Sequence, residues 1–356
     1  MKLLIAGGGT GGHVFPALAV AQEWLSRGKE REVVIAGTAR GLEAKLVPEA
    51  GLPLETIRVA GLKGIGGIRL LRNVALVPLA LWDTAAVLRR HHFHAALGVG
   101  GYASGPMMLL AALGGVPTVI FEPNADPGLA NRLLAPLARR MATAHDGTAQ
   151  HWGRKAVVTG CPVRREFFQA PVREHKPPYR LLITGGSQGA WPINWAVAGA
   201  LDLLAVRKEA LVIVHQTGER DYNAVRVAYA RREFNAEVLP FLQNMAERFA
   251  QADLIVCRSG AITVAEVAAA GRAGIFIPFG AATNQHQLRN AQVMERAGAA
   301  RLIPQQELTP QRLVSEVFSL LDQPQQISAM EQRARALARP GAAEKIVDLL
   351  EAVAHR

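Results

Sequence analysis

The feature that most constrains the fold is a pattern the chain states twice. Lys2-Leu3-Leu4-Ile5-Ala6 is a short apolar run that breaks into Gly7-Gly8-Gly9-Thr10-Gly11-Gly12-His13, and a helical stretch follows through Pro16-Ala17-Leu18-Ala19-Val20-Ala21. Far downstream, Tyr179-Arg180-Leu181-Leu182-Ile183-Thr184 breaks into Gly185-Gly186-Ser187-Gln188-Gly189-Ala190, with a helix from Ile193 to Ala205. Strand, glycine turn and helix in that order open a doubly wound α/β domain, the glycines letting backbone approach a phosphate at a helix N-terminus. Two such openings predict two Rossmann-like domains, and 356 residues suit two domains. The expected first domain is 1–163 and the second 164–340. A last helix, about 341–356 after the break at Pro340-Gly341, packs back on the first domain, and the Pro- and charge-rich stretch 164–178 reads as the linker.

The most informative single stretch is Leu254-Ile255-Val256-Cys257-Arg258-Ser259-Gly260-Ala261-Ile262-Thr263-Val264-Ala265-Glu266. An apolar strand enters a small-residue turn and then an alanine-rich helix, so backbone N–H groups and the positive end of a helix dipole face outward together as a seat for phosphate. Glu266 follows about one turn later, where a carboxylate can meet a ribose hydroxyl. A dinucleotide site is disfavoured. It needs an acid at the end of the second strand, and here Glu32-Val33-Val34-Ile35-Ala36 ends in Gly37-Thr38-Ala39-Arg40. Glu266, on a different helix, points to a mononucleotide carried on a sugar.

Several polar residues have two readings. His13, where a glycine loop becomes a helix, is either a general base for an attacking hydroxyl or a capping and packing histidine. Asn124, after the strand Pro117-Thr118-Val119-Ile120-Phe121, either reads a sugar or caps the next helix. Arg164 either reaches a diphosphate or is a solvated linker charge. The loop Phe241-Leu242-Gln243-Asn244-Met245 can lie against a base, and Thr283-Asn284-Gln285-His286-Gln287 can bond sugar hydroxyls or merely start a helix.

Composition narrows the partners. The chain carries +11 net charge, and residues 1–163 hold seventeen Lys and Arg against ten Asp and Glu, so the first half expects an anionic partner. Aromatics are only 6% and no arginine stripe is interleaved with them, which ranks nucleic acid behind membrane surface and phosphorylated substrate. Leu62-Lys63-Gly64-Ile65-Gly66-Gly67-Ile68-Arg69-Leu70-Leu71-Arg72 and the apolar helix after it form either a lipid-interface patch or an ordinary packed helix. The stretch 95–121 has no Asp, Glu, Lys or Arg, yet glycines and prolines divide it into strand, loop, helix and strand rather than a membrane span. Cys161 and Cys257 make no metal spacing and fit a reducing compartment. The start breaks into glycine too early for a signal segment, so a cytoplasmic location is expected.

Taken together, Gly8-Gly9-Thr10-Gly11-Gly12-His13, the loop 100–106, the loop 185–190, the stretch 258–266 and His286-Gln287 followed by Asn290-Ala291 resemble one family across nearly the whole chain. It is the bacterial peptidoglycan glycosyltransferases of the GT-B fold, the undecaprenyl-diphospho-muramoylpentapeptide β-N-acetylglucosaminyltransferases. The resemblance implies inverting transfer of N-acetylglucosamine from UDP-N-acetylglucosamine to the 4-hydroxyl of undecaprenyl-diphospho-muramoyl-pentapeptide at the anionic inner membrane surface. It implies donor contacts from Thr10, Gly11, Gly12, Asn124, Arg164, Ser187, Leu242, Ala261, Ile262, Thr263, Val264, Ala265, Glu266 and Gln287. Leu242 lies against uracil and the loops at Gly9 and Gly101 face the acceptor diphosphate, with His13 as candidate base. No Asp-x-Asp pair exists to carry a metal, so neither metal nor cofactor is expected. The chain departs from the family at Phe121, Pro123, Asn284 and Gln285. Alternatives of the same architecture are another GT-B UDP-sugar:lipid glycosyltransferase and a UDP-N-acetylglucosamine epimerase; from another class, a membrane-recruiting subunit that binds nucleotide without chemistry.

Overall fold

The computed structural model describes residues 1–60, 67, 73, 75–280 and 285–355. The basic positions Lys63, Arg69 and Arg72 lie outside them, as do Thr283 and Asn284. The chain divides into two units, Met1–Val163 with Gly341–Arg356, and Arg164–Pro340.

The first unit is built on a seven-stranded parallel sheet in the order β3-β2-β1-β4-β5-β6-β7. Its strands are β1 (Lys2–Gly7), β2 (Glu32–Gly37), β3 (Leu54–Thr56), β4 (Ala95–Gly100), β5 (Thr118–Glu122), β6 (Arg140–Thr143) and β7 (Ala156–Val158). Central strands are apolar without alternation because helices cover both faces of the sheet. Leu3, Leu4, Ile5 and Ala6 are all without exposed surface. The uncharged stretch 95–121 is strand β4, helix Ser104–Leu113 and strand β5, and among the described residues no helix is long and apolar enough to cross a membrane.

The C-terminal helix Ala342–Ala354 belongs to this unit, packed on helix Gly11–Ser26 and on β4 and β5. Ile346, Val347 and Leu350 are fully buried. Arg27 reaches Asp348 at 2.6 Å, Glu351 at 3.0 Å and the Glu344 carbonyl at 2.9 Å.

The second unit repeats the plan with six parallel strands in the order β10-β9-β8-β11-β12-β13. These are β8 (Tyr179–Thr184), β9 (Leu211–Gln216), β10 (Ala236–Leu239), β11 (Leu254–Cys257), β12 (Gly274–Phe276) and β13 (Ala300–Leu302). Its core gathers Ile183, Ile193, Val197, Ile213, Val256 and Ile275.

The stretch 164–178 corrects the linker reading, because it is bound into the second unit. Phe167, on helix Arg165–Phe168, is fully buried edge-on to Phe249, with centroids 5.2 Å apart. The fully buried Arg272 donates to the Pro171 carbonyl at 2.8 Å. His175 is sandwiched between Asp253, 2.8 Å from Nδ1, and Glu331, 3.3 Å from Nε2. Proline and charge signal a linker only when the charges face water; here Glu174 and Lys176 do, but Arg173 and His175 meet the buried Asp253 and Glu331.

Candidate active site

In an open α/β sheet the strand order reverses at one place, and loops leaving the carboxyl ends of the strands there diverge to leave a crevice. In the first unit the reversal lies between β1 and β4, in the second between β8 and β11. The glycine loops occupy these places.

In the first unit, β1 ends at Gly7, the chain turns through Gly8-Gly9, and Thr10, in extended conformation, precedes helix Gly11–Ser26 with no side-chain cap. Thr10, Gly11 and Gly12 therefore sit at an amide-rich helix start. His13 follows in the first turn, half-buried, its Nδ1 3.0 Å from the Val99 carbonyl at the end of β4. A carbonyl only accepts, so Nδ1 carries the proton and Nε2 is the acceptor of the neutral ring. The capping reading of His13 is corrected, since the N-cap position is Thr10's. The second glycine loop packs directly on the first: a Cβ on Gly101 would lie 2.3 Å from the Gly8 carbonyl oxygen, and one on Gly100 would lie 2.8 Å from the imidazole.

Within the first glycine loop the Gly9 N–H is taken by the protein itself, donating to Glu43 Oε2 at 2.6 Å. Burial alone would raise the Glu43 carboxyl, but bonds from Gly9 and Thr38 outweigh it and hold the group below the usual carboxylate range. An acid does follow β2, but it turns inward onto the loop rather than toward a ribose.

Asn124 stands at the end of β5. Its backbone N–H and side-chain amide both donate to Glu122 Oε1, at 3.0 and 2.9 Å, and its carbonyl accepts from Thr148 at 3.0 Å. The capping reading is again corrected: the N-cap of helix Leu129–Leu134 is Gly128, whose N–H goes to Glu122 Oε2 at 2.8 Å. Glu122, buried, thus shapes the loop and holds the partly exposed Asn124 in it.

The second unit brings its predicted residues together. Helix Ala261–Ala270 starts at Gly260 without a side-chain cap, which leaves the amides of Ala261, Ile262 and Thr263 without intrahelical partners as a candidate anion seat. Ile262 and Val264 are buried side chains and contribute backbone only, whereas Ala261, Thr263, Ala265 and Glu266 keep partial exposure. Burial pushes the Glu266 carboxyl up to about 7, with Arg164 acting in the opposite sense. Arg164 is half-buried, its guanidinium over Phe167 at 5.2 Å, and is not a solvated linker charge. The Cys257 thiol, buried and near Glu266, is pushed far above its usual range, so it is no nucleophile.

The loop carrying Ser187 leaves β8 next to this seat. Gly189, at φ 72°, passes so close to Thr217 that a Cβ would sit 1.9 Å from its carbonyl oxygen. Gln216, at the end of β9 and 1% exposed, ties two loops together: Nε2 donates to the Gly186 carbonyl at 2.7 Å and Oε1 accepts the Leu242 N–H at 3.2 Å. The Leu242 side chain is 4% exposed, while neighbouring Phe241 is 42% exposed; the apolar surface available at this loop is that of Phe241.

Gln287 lies at the opposite flank, its Oε1 accepting the Phe279 N–H at 3.0 Å and its carbonyl accepting Ser259 Oγ at 2.8 Å. Arg258 donates to the carbonyls of Ile277 and Pro278 at 3.0 and 3.1 Å, and burial lowers its pKa to about 10.

Glu43 and Gln216 are the two organising residues that sequence reasoning missed. Three glycines around Glu43 and a polar residue closing the apolar run 211–216 were the available signals.

Comparison with known proteins gives the family. Residues 3–143 match the glycosyltransferase family 28 N-terminal domain and residues 180–347 its C-terminal domain. A Myxococcus xanthus protein named UDP-N-acetylglucosamine--N-acetylmuramyl-(pentapeptide) pyrophosphoryl-undecaprenol N-acetylglucosamine transferase is 43% identical over 352 residues, covering 98% of this chain and 92% of its own. An Anaeromyxobacter protein of the same name is 44% identical over 360 residues, covering 100% and 94%. The crystal structure of Acinetobacter baumannii MurG superposes with a TM-score of 0.78 at 33% identity, covering 99% of each chain. The chain belongs to glycosyltransferase family 28.

Proposed function

We propose that the chain transfers N-acetylglucosamine from UDP-N-acetylglucosamine to the 4-hydroxyl of a lipid-linked muramoyl pentapeptide, with inversion, making the disaccharide precursor of peptidoglycan. The observation that carries the reading is the uncapped helix start at Ala261 with Glu266 on its next turn and Arg164 as its charge partner. That set matches what a nucleoside diphosphate offers, two phosphates and a diol.

In this reading the amides of Ala261, Ile262 and Thr263, the Ser187 loop and Arg164 stabilise the negative charge that develops on departing UDP. Glu266 accepts the ribose hydroxyls, the Phe241-Leu242 segment meets uracil, and Gln287 meets the sugar. Thr10, Gly11, Gly12 and Asn124 are the first unit's share of substrate contacts. His13 Nε2 takes the proton of the attacking hydroxyl, whose oxygen bonds to the anomeric carbon as the bond to UDP breaks on the opposite face.

The acceptor's lipid calls for work at a membrane surface. Trp82 is 71% exposed on helix Val77–Arg90, Leu113 67% on helix Ser104–Leu113, and Leu133 69% on helix Leu129–Leu134. These neighbouring helices carry apolar side chains that a lipid interface would cover, in keeping with peripheral attachment at the cytoplasmic face of the inner membrane and a part in cell wall biogenesis, cell shape and division.

The test is incubation of labelled UDP-N-acetylglucosamine with muramoyl-pentapeptide diphospholipid in vesicles. A lipid-linked disaccharide is expected, with no turnover when the acceptor is left out. Donor turnover without acceptor would instead indicate an epimerase. Trp82→Asp is expected to weaken sedimentation with anionic vesicles.

A further inference from the structure

Glu43 opens the helix Glu43–Glu49 and has no exposed surface, and the reaction as proposed gives it no task. Its two carboxylate oxygens divide their work. Oε2 accepts the Gly9 N–H at 2.6 Å, while Oε1 accepts the Thr38 N–H at 2.9 Å and the Thr38 hydroxyl at 2.7 Å. Three glycines enclose the group: a Cβ on Gly8, Gly37 or Gly41 would lie 2.3, 2.6 or 2.1 Å from its side-chain atoms. A carboxylate seated on a glycine-turn amide stands where a phosphate would stand in a nucleotide-binding loop.

The turn it grips leads to His13. The Gly8 carbonyl is the surface against which Gly101 packs, Gly100 abuts the imidazole, and Val99 one residue earlier accepts the Nδ1 proton. A shift of Gly8-Gly9 therefore moves both the helix start that carries His13 and the loop that orients its ring.

We propose that Glu43 is a positioning residue for His13, an internal anion that fixes the first glycine turn and closes its Gly9 amide to the acceptor's phosphates. Its kinetic consequence rests on the transferase reading above; its structural consequence does not.

The test is full-length Glu43→Gln. One amide oxygen can serve Gly9 or Thr38 but not both, and the NH2 group meets an N–H donor at the end it abandons. At saturating substrates kcat is expected to fall ~10–100-fold, the scale set by misplacing a catalytic group by about 1 Å. Donor affinity by calorimetry and acceptor KM are expected to change severalfold less than kcat, because Thr10, Gly11 and Gly12 are only part of the substrate contacts whereas this turn and the loop packed on it orient the ring of His13. Hydrogen–deuterium exchange is expected to speed up at Gly9–His13. Thr38→Val, which removes one of the three hydrogen bonds, gives a smaller loss in the same direction and serves if the first variant does not fold. The proposal is overturned if kcat of the folded variants is unchanged, if kcat falls without faster exchange in that loop, or if donor affinity falls in parallel. Should wild-type protein form no disaccharide, the transferase reading fails, while unchanged exchange in Glu43→Gln would by itself overturn the proposal.

Discussion

The Glu266 carboxyl, held near pKa 7 by burial, gives a sharp prediction about donor binding. If the ionised group accepts the ribose hydroxyls, the binding-competent fraction is about 0.9 at pH 8 and about 0.1 at pH 6, and the apparent Kd scales as the inverse of that fraction. Affinity for UDP-N-acetylglucosamine should therefore weaken about tenfold from pH 8 to pH 6. Its diphosphate is esterified at both ends and does not titrate in this window, so the sugar nucleotide is a cleaner probe than free UDP. Donor binding selects the ionised carboxyl, so at pH 7 it should release about half a proton, measurable by calorimetry in buffers of different ionisation enthalpy. Glu266→Gln should bind more weakly at pH 8 and show no such slope or proton release. A flat wild-type profile, or a slope that survives in Glu266→Gln, would refute the assignment of Glu266 to the ribose.

Three further outcomes follow from other parts of the molecule. His13→Ala should lower kcat by about 10²–10⁴ while leaving UDP affinity within twofold, as read by initial rates and calorimetry; unchanged turnover removes His13 as base. Burial opposes the charge on His175, but Asp253 and Glu331 overcome it and raise its pKa to about 9. The protonated form then stabilises the second unit fully below pH 6.5, and that contribution, at most about 3 kcal/mol, is lost as pH rises through 9. Thermal melts should show the loss in wild type and not in His175→Gln. Gln216→Ala leaves the Leu242 N–H and the Gly186 carbonyl without their shared partner, and should weaken UDP binding by about tenfold, on the ~1–3 kcal/mol cost of an unmet buried group; calorimetry decides it.

The repeated strand, glycine loop and helix made both sheets legible, because buried parallel strands are continuous apolar runs with glycine at their ends. The uncapped helix start at Ala261 was readable for the same reason: it is backbone, positioned by local sequence. What sequence could not show is where a side chain goes when it folds back. Glu43 lies six residues past β2, and nothing in Gly41-Leu42-Glu43 says that its carboxylate fills the Gly8-Gly9 turn. Gln216 joins loops 30 residues upstream and 26 downstream in sequence. The stretch holding Arg173 and His175 reads as a linker because the buried partners of these two residues, Asp253 and Glu331, are distant in sequence.

The return of helix Ala342–Ala354 to the first unit sets an order on biosynthesis. Domains usually fold in the order the ribosome releases them. Here Arg27 must wait for Asp348 and Glu351, so the sheet begun by Lys2 cannot gain its last cover until every residue of the second unit has been translated. The half made first is the half sealed last, and until then the surface of helix Gly11–Ser26 awaiting that cover is open to chaperones.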